Sequence, residues 1–353
     1  MSNRCRDIIN GTLTAILATV LLSACSLIDD ELGSKKTDYK LDYELRLVTN
    51  VTIEINTQLP NQQDAGLARA LRQHLSGIFT DFAHDVDLSF YDTEGDSLRL
   101  QHDQHIMDAS QQSYTLYMPM RQYMHLAVAN VVDNAVAGLE DDERCHSARL
   151  NNSSADTIDS HTTGLFTARQ PMKMQEGVDQ TFKVRLYMAN CAAALVVDPR
   201  GHDISSMKVY TTGFASRFNI CDSTYVFAGR DPIVRTQLVT ANDDDRVCFC
   251  SVNLPSREPY YIYSKGTRSV IETEDFLGEP GNEDIWSFTA IVTKKDGTKT
   301  KTDLTLKEPL RAGQLKILSG WVTDEGVVKT EDETVGVSVS LDWKDGGQYD
   351  PEL

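Results

Sequence analysis

The chain has 353 residues, of which 41% are hydrophobic and 8% aromatic, so it can build the cores of about two domains. This composition excludes a disordered protein. The formal net charge of −18 gives an acidic surface that repels phosphates, which excludes nucleic acid as a partner.

The N-terminus has the parts of a secretory signal peptide. Two arginines precede an apolar run from Ile8 to Leu22, and this run is shorter than a membrane-spanning helix needs. The stretch Leu22-Ser23-Ala24-Cys25 closes the run and resembles the lipobox of bacterial lipoproteins. It predicts a lipoprotein signal peptide at residues 1–24 and lipidation of Cys25. The alternative is an ordinary signal peptide followed by a cysteine by chance.

Residues 25–40 are polar and predict a lipidated flexible tether. The acidic cluster Asp29-Asp30-Glu31 resembles a surface-export signal of some Gram-negative lipoproteins, and it is equally compatible with a plain solvated linker. Folded sequence is expected from about Leu41. A strand is predicted where Val51, Ile53 and Ile55 alternate with polar residues.

One segment has clear helical periodicity. Its apolar face is formed by Leu67, Leu71, Leu75, Ile78 and Phe82. Asp64 precedes this face and is the expected N-cap. The apolar stripe predicts packing against a sheet, with a groove for a partner as the alternative.

Strand patterns follow the helix, and a polar stretch interrupts them. Leu88 to Tyr91, the alternating Tyr114 to Met118 and the apolar His125 to Val132 predict strands, the last of them buried on both faces. From Gly138 to about Gly177 the sequence is acidic and rich in Ser, Thr and Asn, which predicts an exposed loop leading to a domain boundary. The N-terminal domain is therefore placed at residues 41–174.

The C-terminal domain is placed at residues 175–353 and is expected to begin a new sheet at Phe182. Further strands are predicted at Phe182 to Met188, Ala192 to Val197, Met207 to Tyr210, Tyr225 to Phe227, Trp286 to Val292, Thr298 to Leu306, Leu315 to Val322 and Val335 to Leu341. Asp296-Gly297 is a strong hairpin signal. Many short strands and one helix predict a mainly β protein made of β-sandwich domains.

The cysteines match neither a disulfide scaffold nor a zinc module. Beyond the lipobox they are Cys145, Cys191, Cys221, Cys248 and Cys250, an odd number without paired C-x-x-C spacing. Cys248 and Cys250 share one face if they lie on a strand. We expect buried unpaired thiols, with one disulfide in an exported protein as the alternative.

No catalytic motif is present in the sequence. It lacks G-x-S-x-G, H-E-x-x-H and a phosphate-binding glycine-rich loop. His102 and His105 could belong to a metal site, but a solvated polar loop is the expected interpretation. The run Asn242-Asp243-Asp244-Asp245 lacks the spacing of a calcium loop and predicts a charged turn. We therefore expect no enzyme activity, no cofactor and no metal.

Several stretches together resemble the fimbrillin-associated anchor lipoproteins, the base subunits of type V pili in gut and oral Gram-negative bacteria. The stretches are the lipobox with Asp29-Asp30, Ile78 to Phe82, Asp85 to Tyr91, Met118-Pro119, His125 to Asn130, Tyr187 to Leu195, Tyr210 to Phe214, Val335 to Val339 and Leu341 to Lys344. The resemblance extends over nearly the whole mature chain. No single stretch decides it, because the stretches are structural rather than catalytic motifs.

The resemblance implies two tandem transthyretin-like β-sandwich domains on a lipid anchor. It implies a protein at the cell outer membrane, exposed at the surface, that anchors fimbriae and limits their length. Its partners would be fimbrillin shaft subunits, bound by strand addition, and the outer membrane, reached through the lipid on Cys25. The rival interpretations are a stand-alone surface lipoprotein that binds glycan or protein, and a lipoprotein hydrolase without a recognisable motif.

Overall fold

The computed structural model describes residues 38–48, 55, 58–61, 64–80, 83–94, 98–107, 113–140, 143–175, 180–227, 231–241, 244–258, 262–263, 270–271 and 285–342. Strands account for 58% of these residues and helix for 8%, which confirms the predicted mainly β class. The predicted signal peptide, the predicted tether as far as residue 37, and the strand predicted at Val51 and Ile53 lie outside the described residues.

Within the described residues, one long α-helix and a short 3-10 helix at Cys145–Ser147 lie among many strands. The α-helix and the strands follow one another along the chain. They are β1 (Asp38–Val48), α1 (Ala65–Ile78), β2 (Asp85–Asp92), β3 (Arg99–Met107), β4 (Ser113–Pro119), β5 (Gln122–Ala129), β6 (Ala137–Glu140), β7 (Arg149–Asn152), β8 (Thr157–Asp159), β9 (Phe166–Lys173), β10 (Gln180–Met188), β11 (Cys191–Asp198), β12 (Ile204–Thr212), β13 (Arg217–Asn219), β14 (Thr224–Val226), β15 (Ile233–Arg235), β16 (Gln237–Val239), β17 (Val247–Asn253), β18 (Ile262–Tyr263), β19 (Val270–Ile271), β20 (Trp286–Lys294), β21 (Lys299–Leu306), β22 (Leu315–Val322), β23 (Val328–Thr330) and β24 (Gly336–Asp342).

The first large sheet has seven strands in the order β3-β2-β5-β9-β10-β1-β4. β10 runs parallel to β1, with Phe182 opposite Tyr43 and Val184 opposite Leu45. The expectation that a new sheet begins at Phe182 is therefore wrong. The parallel partner lies far away in the sequence, so no local pattern indicates this pairing.

The predicted exposed loop from Gly138 to Gly177 is also wrong, because this stretch contains most of β6 and the whole of β7, β8 and β9. Leu150, Ile158 and Phe166 are buried in it. The first three strands are only three or four residues long. Such short strands show no clear alternation, and their polar residues led to the prediction of a loop.

The helix α1 buries Leu67, Leu71, Leu75 and Ile78 of the predicted stripe, so the prediction that it packs in a core is confirmed. These residues join the inner face of the seven-stranded sheet in one apolar cluster. The helix ends at Ile78, and Phe82 lies outside the described residues. Asp64 occupies the N-cap position but makes no capping hydrogen bond from its side chain. Its carboxylate binds Arg246 instead, at 2.8 Å from a terminal nitrogen of the guanidinium.

The second sheet has five strands in the order β16-β17-β11-β22-β23 and is buried on both faces at its centre. Ala192, Ala194 and Val196 of β11 contribute to the cluster beneath α1, whereas the alternating Leu195 and Val197 contribute to the next core. This double burial explains why β11 is apolar throughout. The sheet therefore forms a layer between the seven-stranded sheet with its helix and the remaining large sheet.

The third sheet has six strands in the order β24-β21-β20-β12-β15-β8. The hairpin predicted at Asp296-Gly297 joins β20 to β21, and Gly297 has a φ of 87°, which favours glycine. Trp286 and Phe288 lie on the inner face of this sheet, in the core that it shares with the five-stranded sheet.

A small sheet of four strands, in the order β14-β13-β7-β6, covers part of the outer face of the seven-stranded sheet. Apolar residues of the two sheets form a third core between them.

A disulfide joins Cys145 to Cys221 in this third core, with a Cα–Cα distance of 5.7 Å. Cys191, Cys248 and Cys250 are free and buried. Both alternatives for the cysteines are thus realised, and Cys248 and Cys250 share a face as expected.

Strands from the first half of the chain pair with strands from the second half. β7 and β8 belong to the first half in sequence, but they pair with β13 and β15 of the second half. The chain passes from the seven-stranded to the five-stranded sheet between Met188 and Cys191. The division into domains at residues 41–174 and 175–353 stays a prediction. Among the described residues, no helix combines the length and hydropathy required to cross a bilayer.

Candidate functional site

The one site residue assigned from the sequence, Cys25, lies outside the described residues, and its lipidation stays a prediction. Within the described residues, no group of three or more His, Cys, Asp or Glu side chains is placed to hold a metal ion. The candidate functional features are therefore buried polar clusters, sheet edges and surface grooves.

His102 and His105 lie on the edge strand β3, so the loop predicted for them is wrong. The register places His105 opposite Asp87 of β2, and the two side chains form an ion pair through His105 Nδ1. Burial raises the pKa of Asp87, and the contact with His105 opposes this rise. The pair links two strands across the sheet surface.

Arg246 forms ion pairs with both Asp244 and Asp64. The Arg246 guanidinium donates to both oxygens of Asp244 and to Asp64, at 2.5 to 3.1 Å. The hydrogen bond from Arg246 lowers the pKa of the Asp244 carboxyl. The cluster ties the segment before β17 to the start of α1. Asn242 and Asp243 lie outside the described residues.

His125 is fully buried in the core of the seven-stranded sheet. Its Nδ1 donates to the carbonyl of Ser89 at 3.0 Å, and its Nε2 accepts from the Tyr43 hydroxyl at 2.7 Å. The ring stacks on Phe90 with a centroid distance of 4.3 Å. Burial lowers the pKa of His125 to about 3, so the ring is neutral and donates on one side only.

His161 is a second fully buried histidine and lies among three amide side chains. Its Nε2 donates to Asn152 Oδ1 at 3.0 Å, while its Nδ1 accepts from Asn134 at 3.3 Å and from Asn190 at 3.2 Å. Burial lowers the pKa of His161 to about 4. Amides neither take up nor release protons at neutral pH, so this cluster suits the positioning of loops rather than acid–base chemistry.

The loops that meet at His161 come from distant parts of the chain. Asn190 accepts from the backbone of Leu165 at 2.6 Å and donates to the carbonyl of Asn253. Asn134 caps the backbone nitrogens of Val136 and of the residue after it. No local sequence pattern marks either histidine as part of a buried polar cluster, because such a residue can be recognised only once its neighbours are known.

The C-terminal strand β24 forms an edge of the six-stranded sheet. It pairs antiparallel with β21, which confirms that Val335 to Leu341 belongs to the fold itself. Val337 lies opposite the buried Leu304, on the face that points to the core, yet it is 45% exposed, and Val339 is 42% exposed. The edge therefore presents apolar side chains that the second layer does not fully cover.

The similar solved structures include a fimbrial anchor protein. This protein, Mfa2 from Porphyromonas gingivalis, has 11% identity and a TM-score of 0.43, covering 86% of this chain and 97% of its own. A proposed adhesin from Bacteroides ovatus has 10% identity and a TM-score of 0.49, covering 84% of this chain and 94% of its own. No family model and no curated protein matches the chain.

A third similar structure is a proposed polysaccharide-binding protein from Bacteroides thetaiotaomicron. It has 10% identity and a TM-score of 0.47, covering 84% of this chain and 97% of its own. The structural neighbours thus include the class of protein that the sequence resemblance names. At these identities and TM-scores the likeness carries no conclusion about this chain, and each neighbour's binding properties remain its own.

Proposed function

We propose that this chain is a non-enzymatic lipoprotein of the cell outer membrane that anchors fimbriae at the cell surface and limits their length. The lipid on Cys25 would hold one end at the membrane, and a fimbrillin shaft subunit would bind the body by strand addition. The observation that carries this proposal is the position of β24, which is used inside the chain's own sheet.

A shaft subunit that polymerises by strand addition has to lend a strand to its neighbour. The last alternating run of this chain already fills an edge position beside β21 and buries Val335 in the core. Because β24 stays in the chain's own sheet, the chain can accept a strand from a partner but does not donate β24 to one. This property suits a subunit at the end of a polymer, and the lipobox at the other end of the chain suits attachment to a membrane.

We expect Cys25→Ala to release fimbriae into the medium and to alter their length. The reason is that two or more acyl chains hold a protein at a bilayer stably, whereas none leaves only the folded body. Electron microscopy and immunoblotting of cells and medium measure both effects. Cys5→Ala is the matched control, since this residue is removed with the signal peptide. Fimbriae that stay cell-bound with unchanged length would contradict anchoring.

The partner's strand is proposed to add at the edge of β24, where Val337 and Val339 offer apolar contacts. Alternate side chains of an added strand would point to the same face and extend the core by one strand. Backbone groups along the outer side of β24 would supply the hydrogen bonds.

We expect the double variant Val337→Lys and Val339→Lys to reduce cell-bound fimbriae by about tenfold, because docking would bury charges at an apolar seam. The lipoprotein itself should remain at wild-type abundance, which immunoblotting checks. Ser338→Lys is the control, since Ser338 is exposed on the opposite face of β24. Equal fimbriation of all three strains would exclude this edge as the docking site.

The alternative function is a stand-alone surface lipoprotein that binds glycan or protein. One observation favours it: exposed aromatic residues share a single face of the seven-stranded sheet. Tyr187 on β10 is 56% exposed and Tyr117 on β4 is 62% exposed, and both point away from the core. Exposed tyrosines supply rigid contact area for ligands.

A further inference from the structure

A groove lies between the outer face of β9 and β10 and the small sheet that carries β13 and β14. Its volume is about 650 Å³, which is in the range of small-ligand sites. We propose that this groove binds an acidic saccharide, one that carries carboxylate or sulfate groups. The inference deepens the alternative function given above, and the anchoring test with Cys25→Ala is independent of it.

Three cations line one wall of the groove, although the protein as a whole carries a net charge of −18. They are Arg169 on β9 and Lys183 and Arg185 on β10, and all three are exposed. Lys183 pairs with Glu44 at 3.0 Å, but neither arginine forms an ion pair with any described residue. Like charges on neighbouring strands repel each other. An anion bound between Arg169 and Arg185 would therefore neutralise the repulsion between the two guanidinium groups. The planar guanidinium donors match carboxylate and sulfate oxygens.

Aromatic side chains form the apolar part of the groove. Tyr187 is exposed at its rim, and Phe218 and Tyr225 lie against each other at a centroid distance of 4.5 Å. The Tyr225 hydroxyl donates to the carbonyl of Ala189 at 3.1 Å, which fixes the ring. Rigid rings beside charged donors suit a ligand that has an apolar ring face and an acidic substituent on the same unit, as a uronic acid or a sulfated sugar has.

The shape of the groove favours a saccharide over an extended peptide. β9 and β10 are paired only at Tyr187 with Thr167 and at the following pair, and the strands separate beyond that point. The Gln170 side chain closes the separation by donating to the carbonyl of Lys183 at 3.2 Å. The open stretch from Thr167 to Gln170 has three residue-to-residue steps, or about 10 Å, which is too short for a peptide strand to pair over several residues.

Calorimetry on the full chain in detergent tests the proposal with four ligands of matched length: an oligogalacturonate, a sulfated oligosaccharide, a neutral oligosaccharide and an oligoglutamate. We expect binding of one or both acidic saccharides, weakening by at least about tenfold between low and high salt. Which of the two binds more tightly separates carboxylate from sulfate as the preferred anion.

The double variant Arg169→Ala and Arg185→Ala should weaken this binding at least about tenfold, because both charged hydrogen-bond donors to the anion are lost. Tyr187→Ala should weaken it severalfold at every salt concentration. The control is Lys299→Ala with Lys329→Ala, which changes the charge equally at exposed residues outside the groove. Tighter binding of oligoglutamate, equal binding of the neutral sugar, no binding at all, or an equal loss in the control would each overturn the proposal.

Discussion

Acidification from pH 7 to pH 5 is expected to lower the free energy of unfolding by about 4 kcal/mol through the two buried histidines. Burial lowers the pKa of His125 to about 3 and that of His161 to about 4, whereas an unfolded histidine has a pKa near 6.5. Between these values the unfolded chain binds protons that the native chain excludes. The stabilisation that the two neutral histidines contribute is therefore complete above pH 6.5 and is lost as the pH falls toward 4.

Burial is the main reason why protonation is unfavourable, and the local contacts also oppose it. A proton on Nδ1 of His161 would face the amide donors of Asn134 and Asn190. A proton on Nε2 of His125 would require the Tyr43 hydroxyl to turn from donor to acceptor in a site without water access. Each histidine thus contributes about 2 kcal/mol of the loss at pH 5.

Urea denaturation at pH 7, 6 and 5, followed by tryptophan fluorescence, measures this loss. His161→Gln should reduce the dependence of unfolding free energy on pH by about half, whatever its effect on stability at pH 7. His202→Gln is the control, because His202 is partly exposed and pairs with Asp324 at the surface. A pH dependence that is the same in the wild type and in His161→Gln would contradict the assignment.

Removal of the disulfide by Cys145→Ala with Cys221→Ala is expected to lower the free energy of unfolding by about 2–5 kcal/mol. The bond joins residues 76 apart in sequence, so it restricts a long loop in the unfolded chain. It also joins the connection between β6 and β7 to the connection between β13 and β14 of the small sheet, where both cysteines are buried. Chemical denaturation with and without a reductant measures the effect.

The reductant provides the internal control for this prediction. It should destabilise the wild type by a similar amount and leave the double variant unchanged, because Cys191, Cys248 and Cys250 are free and buried. Thiol counting by mass spectrometry after alkylation in denaturant identifies the bonded pair. Two additional free thiols in the unreduced wild type, or equal stability of both proteins, would exclude the bond.

The elements predicted correctly are those whose pattern is local. α1 shows its core stripe within one segment, and the hairpin of β20 and β21 depends on adjacent residues and on Gly297. β11 is a continuous apolar run because both of its faces are buried. The assignment of Cys25 as a lipidation site also depends on its immediate neighbours in the sequence, and this lipidation stays a prediction.

The elements predicted wrongly are those whose partners are distant. β10 belongs with β1, some 140 residues earlier, and β7 and β8 pair with strands of the second half. The pairing of Cys145 with Cys221 and the neutral state of His161 also depend on residues that are close only in space. Hydrophobic periodicity indicates that a strand has a buried face, but it does not indicate which strand lies beside it.

The sequence by itself determined the mainly β class, the helix and its buried face, and the apolar core strands. These properties depend on residue types within a few positions, which set local conformation and the face that avoids water. Only the tertiary structure decided the order of the strands, the disulfide, the polar cluster around His161 and the groove that brings Arg169 and Arg185 beside Tyr225. These features arise from the packing of separate sheets against each other, which joins side chains that no local pattern connects.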